Sequence, residues 1–288
     1  LSGSSVSYTV AENCTTGTTA QCNFDQLGIA NPVTPCPGSD NIPTEDVWVG
    51  NYCGPGIQGV DEPSSVNAQT ITESGTIPDS GNTTLNGKSI LFSEVNVDYS
   101  NVIFKADTPT KTNELYSNWT LDAYVYVPTP ADNQALEIDA QYVWGGIWTK
   151  FYTECAFNQN GNGTGYWAVF GGSGGWQMLD GSNGSPTVPC DRSQFALPWS
   201  GGPSGTGWHH IVWNFIRNSG ESNTGSVEYV SLMFDGTTYS LNYIPTTSPG
   251  GTGSLQGNFS ALVQLDGTSS SSQSPEVYVN EFNLTFSN

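Results

Sequence analysis

From Lys88 onward the chain repeats one pattern: short runs in which apolar and polar residues alternate, each closed by a cluster of turn residues. The clearest run is Trp119-Thr120-Leu121-Asp122-Ala123-Tyr124-Val125-Tyr126-Val127, stopped by Pro128-Thr129-Pro130. Alternation with period two is what a β-strand with one buried face requires. Similar runs cover 89–97, 135–143, 147–157, 165–170, 176–179, 208–217, 227–234, 238–243, 261–265 and 277–286. Gly161-Asn162-Gly163, the glycine-rich stretch 171–175 and Asp235-Gly236 supply the backbone freedom that turns between strands need. No stretch shows a helical period with capping residues. So many strands without helices predict an all-β fold, an antiparallel β-sandwich or jelly roll, over residues 86–288. Residues 1–85 differ. They are rich in Pro, Gly, Ser and Thr, hold four cysteines, and read as a loop-rich, disulfide-stapled N-terminal extension with at most one strand, Val6–Val10.

The six cysteines, at 14, 22, 36, 53, 155 and 190, are even in number and include no C-x-x-C pair. Disulfides are the expected use, which implies an oxidising, extracellular setting. Cys155–Cys190 is expected as one bridge, and the other four pair most simply as Cys14–Cys22 and Cys36–Cys53. Glycosylation sequons begin at Asn13, Asn82, Asn118, Asn162, Asn258 and Asn283, with a weaker one at Asn183. Secretion is therefore expected, with Leu1 as a mature terminus. Six Lys plus Arg stand against twenty-six Asp plus Glu, a formal net charge of −20. That balance excludes nucleic acid and anionic membranes as natural partners, since both need clustered cations. No apolar run approaches the roughly 20 residues of a membrane span. So few charges suit either an acidic medium, where a Ser-, Thr- and Asn-rich surface stays soluble, or a glycan-coated surface at neutral pH. No metal centre is expected, since the only histidines, His209 and His210, are adjacent. A structural Ca²⁺ assembled from separate loops would suit so acidic a chain, and no other cofactor is implied.

One strand stands out chemically. In Leu136-Glu137-Ile138-Asp139-Ala140-Gln141-Tyr142, alternation sets Leu136, Ile138, Ala140 and Tyr142 on one face and Glu137, Asp139 and Gln141 on the other. On a concave face those three form a polar track for a ligand; on a convex one they are ordinary surface. The strand resembles the E-I-D-x-E strand of family-16 glycoside hydrolases, in which the first Glu is the nucleophile, the Asp supports it and the last Glu is the acid/base. The resemblance implies a nucleophile at Glu137 supported by Asp139, but Gln141 stands where the acid/base belongs, and Gln cannot exchange a proton. Glu154 is the nearby replacement in sequence. Further on, Gly207-Trp208-His209-His210-Ile211-Val212 with Asp235-Gly236 resembles the W-H-H-V…D-G pattern of laminin-G-like domains, where the Trp begins a core strand and the D-G closes a hairpin. Together the two resemblances point to the concanavalin A-like lectin/glucanase superfamily.

Aromatic residues crowd the middle of the chain: Trp144, Trp148, Trp167, Trp176 and Trp199, with Tyr142, Tyr152 and Tyr166. Sugar rings present apolar C–H faces that stack on indoles, while their hydroxyls need amide and carboxyl partners. Trp144, Trp148, Trp167 and Trp176 are the expected groove residues beside Gln141; Trp119, Trp208 and Trp213 are expected in the core. Three functions compete. The first is a secreted protein binding a polysaccharide along a Trp-lined groove. The second is a glycosidase or transglycosidase acting on a β-glucan-type polymer through Glu137, Asp139 and Glu154. The third is a self-assembling extracellular filament subunit that lends residues 6–10 to a neighbour's sheet edge.

Overall fold

The alternation in Trp119–Val127 becomes a strand that buries Trp119, Leu121, Ala123 and Val125 and turns Thr120, Asp122, Tyr124 and Tyr126 the other way. The computed structural model describes residues 14–15, 19–23, 28–29, 47–50, 65–72, 88–95, 101–107, 116–144, 147–157, 165–171, 175–196, 207–218, 226–245, 250–252, 259–268 and 273–288. Their strands form two sheets. The first contains β1 (Cys14–Thr15), β2 (Thr19–Asn23), β5 (Ser65–Thr72), β6 (Lys88–Val95), β8 (Asn118–Tyr126), β14 (Trp208–Asn218), β15 (Ser226–Phe234), β16 (Thr237–Tyr243) and β19 (Glu276–Ser287). The second contains β3 (Gly28–Ile29), β4 (Val47–Gly50), β7 (Asn101–Asp107), β9 (Asn133–Trp144), β10 (Ile147–Phe151), β11 (Thr153–Ala156), β12 (Tyr166–Phe170), β13 (Trp176–Met178), β17 (Gly250–Thr252) and β18 (Phe259–Gly267).

The first sheet runs β1-β2-β19-β8-β14-β15-β16, with β6 pairing the start of β19 and β5 pairing β6. The second runs β13-β12-β11-β9-β18-β7-β4-β3, with β10 on the later half of β9 and β17 on β10. Every pairing is antiparallel except the short β3–β4 contact. The expected antiparallel sandwich is therefore found, and β9, the strand with the polar track, sits centrally in its sheet.

The core lies between the sheets. Trp119 contacts Phe151, Tyr142 and Phe286 with ring centroids 4.8, 5.2 and 4.7 Å apart. Trp213 meets Trp167 edge-on at 5.5 Å. Truncating such a fully buried aromatic to Ala costs about 3–5 kcal/mol. Cys155 and Cys190 form the expected disulfide, with Cα atoms 5.6 Å apart. Beside it only glycine fits at position 165, because an added Cβ would lie 2.1 Å from the Cys190 carbonyl oxygen. Asp235 and Gly236 close the β15–β16 hairpin at φ 50° and 77°, as a two-residue turn with positive φ at both positions requires.

The N-terminal region departs from expectation. Five strands, β1 to β5, join the two sheets where at most one strand was expected in a separate extension. In Ser65–Thr72 the signal is weak, with small Ala68 as a fully buried residue. Val102, Phe104 and Ala106 of β7, a strand outside the expected runs, are also buried. Residues 6–10 lie outside the described residues. One short α-helix, Arg192–Ala196, occurs where none was expected. Asp191 accepts from the Ser193 amide at 2.8 Å, and Gln194 Oε1 accepts from the Asp191 amide at 2.8 Å, a reciprocal cap legible as D-x-x-Q.

Candidate functional site

On the second sheet, Leu136, Ile138, Ala140 and Tyr142 enter the core as expected, and Glu137, Asp139 and Gln141 point to the opposite face. Cross-strand register then assembles a polar group there. Glu154 of β11 and Gln264 of β18 lie opposite Glu137, and Lys150 of β10 lies opposite Gln141. The Gln264 amide donates to Glu137 Oε1, and to Asp266 Oδ1 at 3.1 Å. The Thr153 amide donates to Asp139 Oδ1 at 2.8 Å, and the Tyr152 hydroxyl donates to Gln141 Oε1 at 2.9 Å. The structure therefore brings together the four polar residues singled out on β9 and β11.

It does not open them to a ligand. Glu137, Asp139, Gln141 and Glu154 expose only 4, 2, 3 and 3 % of their surface. Burial first, then the nearby Asp139, Asp266 and Glu154, hold the Glu137 carboxyl well above the usual range. Burial likewise raises Asp139 well above its ordinary value, and Glu154 and Asp266 add to it, although the Thr153 amide pulls the other way. Asp266, half-buried at the rim, is pushed up to about 7, again by burial. Burial lowers the Lys150 amine, whose Nζ sits 5.3 Å from the Tyr152 ring centre. These groups satisfy one another.

The tryptophans divide. Trp167 pairs with Cys155, faces inward and is fully buried, so it belongs to the core and not to a groove wall. Trp176 is half-buried and packs edge-on against Phe170 at 5.6 Å. Trp144 and Trp148 stand on β9 and β10, but their side chains lie outside the described residues, as does Trp199 entirely. Trp119 and Trp213 are core residues as expected. Trp208 is not. It pairs with Tyr126 and points away from the core, into a separate cluster on the outer face of the first sheet.

That face carries the residues that the sequence reading missed. Trp208, Tyr278 and Leu91 are buried there, with Tyr124, Tyr126 and Ile71 packed half-exposed against them. Tyr126 lies 5.8 Å from both Trp208 and Tyr278. Tyr124 stacks on His210 at 4.1 Å, nearly parallel at 6°. His210 Nε2 is 2.8 Å from Asp122 Oδ1 on the same face. His209 points inward, as strand alternation requires, and its Nδ1 lies 2.7 Å from Asp235 Oδ2. Asp235 also accepts from the His210 amide at 2.9 Å, so the D-G turn fixes both histidines. A sequence signal existed: Tyr124 and Tyr126 share the outward parity of Thr120 and Asp122, and Trp208 has the parity opposite to Trp213.

Other expected sites are placed only in part. Register sets Cys14 opposite Cys22 on β1 and β2, while Cys36 and Cys53 lie outside the described residues. Asn118 is exposed at the start of β8 and Asn283 half-exposed on β19; Asn13, Asn82, Asn162 and Asn258 lie outside the described residues. Among the described residues no three His, Cys, Asp or Glu side chains are grouped to hold a metal ion.

No protein-family model matches the chain, and no curated protein matches it. Solved structures with some likeness include alginate lyase Aly36B, at 12% identity and TM-score 0.37 over 70% of this chain and 81% of that one. A marine PL-14 alginate lyase from Aplysia kurodai has 10% identity and TM-score 0.40 over 70% and 84%. A receptor binding domain has 7% identity and TM-score 0.37 over 78% of this chain and 43% of that one. Scores of this size mark a loose likeness and carry nothing about chemistry.

Proposed function

We propose that this chain is a secreted carbohydrate-binding β-sandwich that presents the outer face of its first sheet to a polysaccharide. One observation carries the reading: Tyr124 and Tyr126 lie half-exposed on the outer face of the first sheet, outside the inter-sheet core, packed against the buried Trp208 and Tyr278. Half-exposed rings offer flat apolar surface to sugar C–H groups, and Asp122, His210 and Asn283 stand on the same face to meet hydroxyls. The Cys155–Cys190 bridge and the sequons support an extracellular setting.

The hydrolase reading is the weaker of the two, because the carboxyls it needs expose only a small part of their surface. The test is affinity electrophoresis of the intact protein through gels containing soluble polysaccharides of differing charge. Retardation by at least one polymer is expected, and Tyr126→Ala should abolish it without changing the melting temperature by more than about 3 °C. Free migration of the wild type through every polymer would remove the proposal.

A further inference from the structure

The aromatic face is also an acidic one, and this narrows the ligand. Glu276 lies close enough to Tyr126 and Tyr278 to act on both phenols, and Glu281 and Asp122 do the same to Tyr124. In each case desolvation raises the phenol first and the neighbouring negative charge raises it further. Glu281 is held at φ 52°, where the β19 register shifts between Asn280 and Asn283, and the Glu281 amide donates to Asn280 Oδ1 at 2.8 Å. Among the described residues of this face only His210 can carry positive charge, within a chain of net charge −20.

This charge decides between saccharide classes. An anionic polymer of uronic acids or sulfated sugars would be repelled both locally and at long range. A neutral polymer would use the rings alone. A sugar carrying an ammonium group uses both features: its C–H face lies on a ring, and the cation meets a carboxylate and the negative face of a neighbouring tyrosine. The adjoining strip suits hydroxyls. Thr120 Oγ1 donates to Asn214 Oδ1 at 2.8 Å, and Asn214 Nδ2 donates to Ser231 Oγ at 2.9 Å, forming an uncharged polar ladder across β8, β14 and β15.

We propose that this face docks a cationic amino-sugar polysaccharide, with Tyr124 and Tyr126, backed by the buried Tyr278, as the stacking surface and Asp122, Glu276 and Glu281 as the ammonium partners. The inference rests on the reading of this face as a saccharide site.

The test titrates the intact protein by calorimetry at about pH 5.5, where carboxylates are ionised and sugar amines protonated. The probes are a de-acetylated glucosamine oligomer, its fully acetylated counterpart of equal length, a neutral glucan oligomer, a uronic-acid oligomer and oligolysine. The de-acetylated oligomer should bind at least about tenfold tighter than the acetylated one and weaken as salt rises. The double variant E276Q/E281Q should lose about that tenfold while keeping its affinity for the acetylated oligomer and its melting temperature. Equal binding of the acetylated and de-acetylated oligomers would overturn the charge assignment and leave the saccharide reading standing. Binding of none of the sugars would overturn both. Oligolysine binding as tightly as the amino sugar would make the face a basic-peptide surface instead, and would overturn the proposal.

Discussion

On the second sheet the side chains turned away from the core include Glu137, Asp139, Gln141, Glu154 and Gln264; on the first they include Tyr124, Tyr126, Trp208, His210 and Tyr278. One set is polar and shut in; in the other Tyr124, Tyr126 and His210 are half open over the buried Trp208 and Tyr278. This inverts the simple expectation that polar side chains face water. Burying a carboxyl is costly unless it is neutral and hydrogen-bonded. The second sheet supplies a hydrogen-bond donor to each carboxyl, the Gln264 amide to Glu137 and the Thr153 amide to Asp139. Polar groups locked together in this way are part of the fold. On the aromatic face Tyr124 and Tyr126 keep part of their ring surface open, which makes it available for recognition.

The sharpest way to break this contrast is to delete one member of the locked group. Asp139→Ala strands the Thr153 amide and removes the partner of the Glu137 carboxyl. A loss of about 3–5 kcal/mol in urea unfolding is expected, the scale of a buried polar pair broken on one side. A loss below about 1 kcal/mol would mean that the face is not integral to the fold.

A gentler way is to titrate it. Glu137, Asp139 and Asp266 all have folded pKa values above their unfolded ones. The stability they allow is therefore complete below about pH 4 and is lost as pH rises, the Asp266 part by about 7. Melting temperature should fall as pH rises from about 4 to 7. Glu137→Gln keeps an oxygen for the Gln264 donor but cannot ionise, so its melting temperature should fall less steeply as pH rises. Parallel curves would show that Glu137 does not titrate with folding. An optimum on the acidic side also fits the low charge density, which the sequence alone connected equally well with a glycan coat.

These contrasts were legible in the sequence to unequal degrees. Alternation closed by Gly, Asn and Pro reveals the sandwich, because period two and turn chemistry are local properties. The Cys155–Cys190 bridge followed from the count and spacing of the cysteines. Which of a strand's two faces meets the other sheet is not local, and there the reading failed for Trp167 and Trp208. Trp208 and Trp213 are five apart, so an uninterrupted strand must point them oppositely, and only one could enter the core. The burial of Glu137 depends on Gln264, 127 residues away in sequence, meeting it across β9 and β18. No pattern within 136–142 carries that information.

The smallest effect on stability should come from the first sheet, and it completes the contrast. Tyr124 is half-exposed and stacked on His210, so Tyr124→Ala removes one ring contact and little buried surface. Its cost in unfolding free energy should be about 1 kcal/mol. Its cost in polysaccharide affinity should be larger, about 1–2 kcal/mol or roughly tenfold, because the ring is a contact surface and not a support. The ratio of the two effects is the diagnostic quantity, read by paired melting curves and affinity electrophoresis. If Tyr124→Ala unfolds the protein as readily as Asp139→Ala while affinity per folded molecule stays constant, the aromatic face is a second buried layer. The distinction between a supporting sheet and a recognising sheet would then fail.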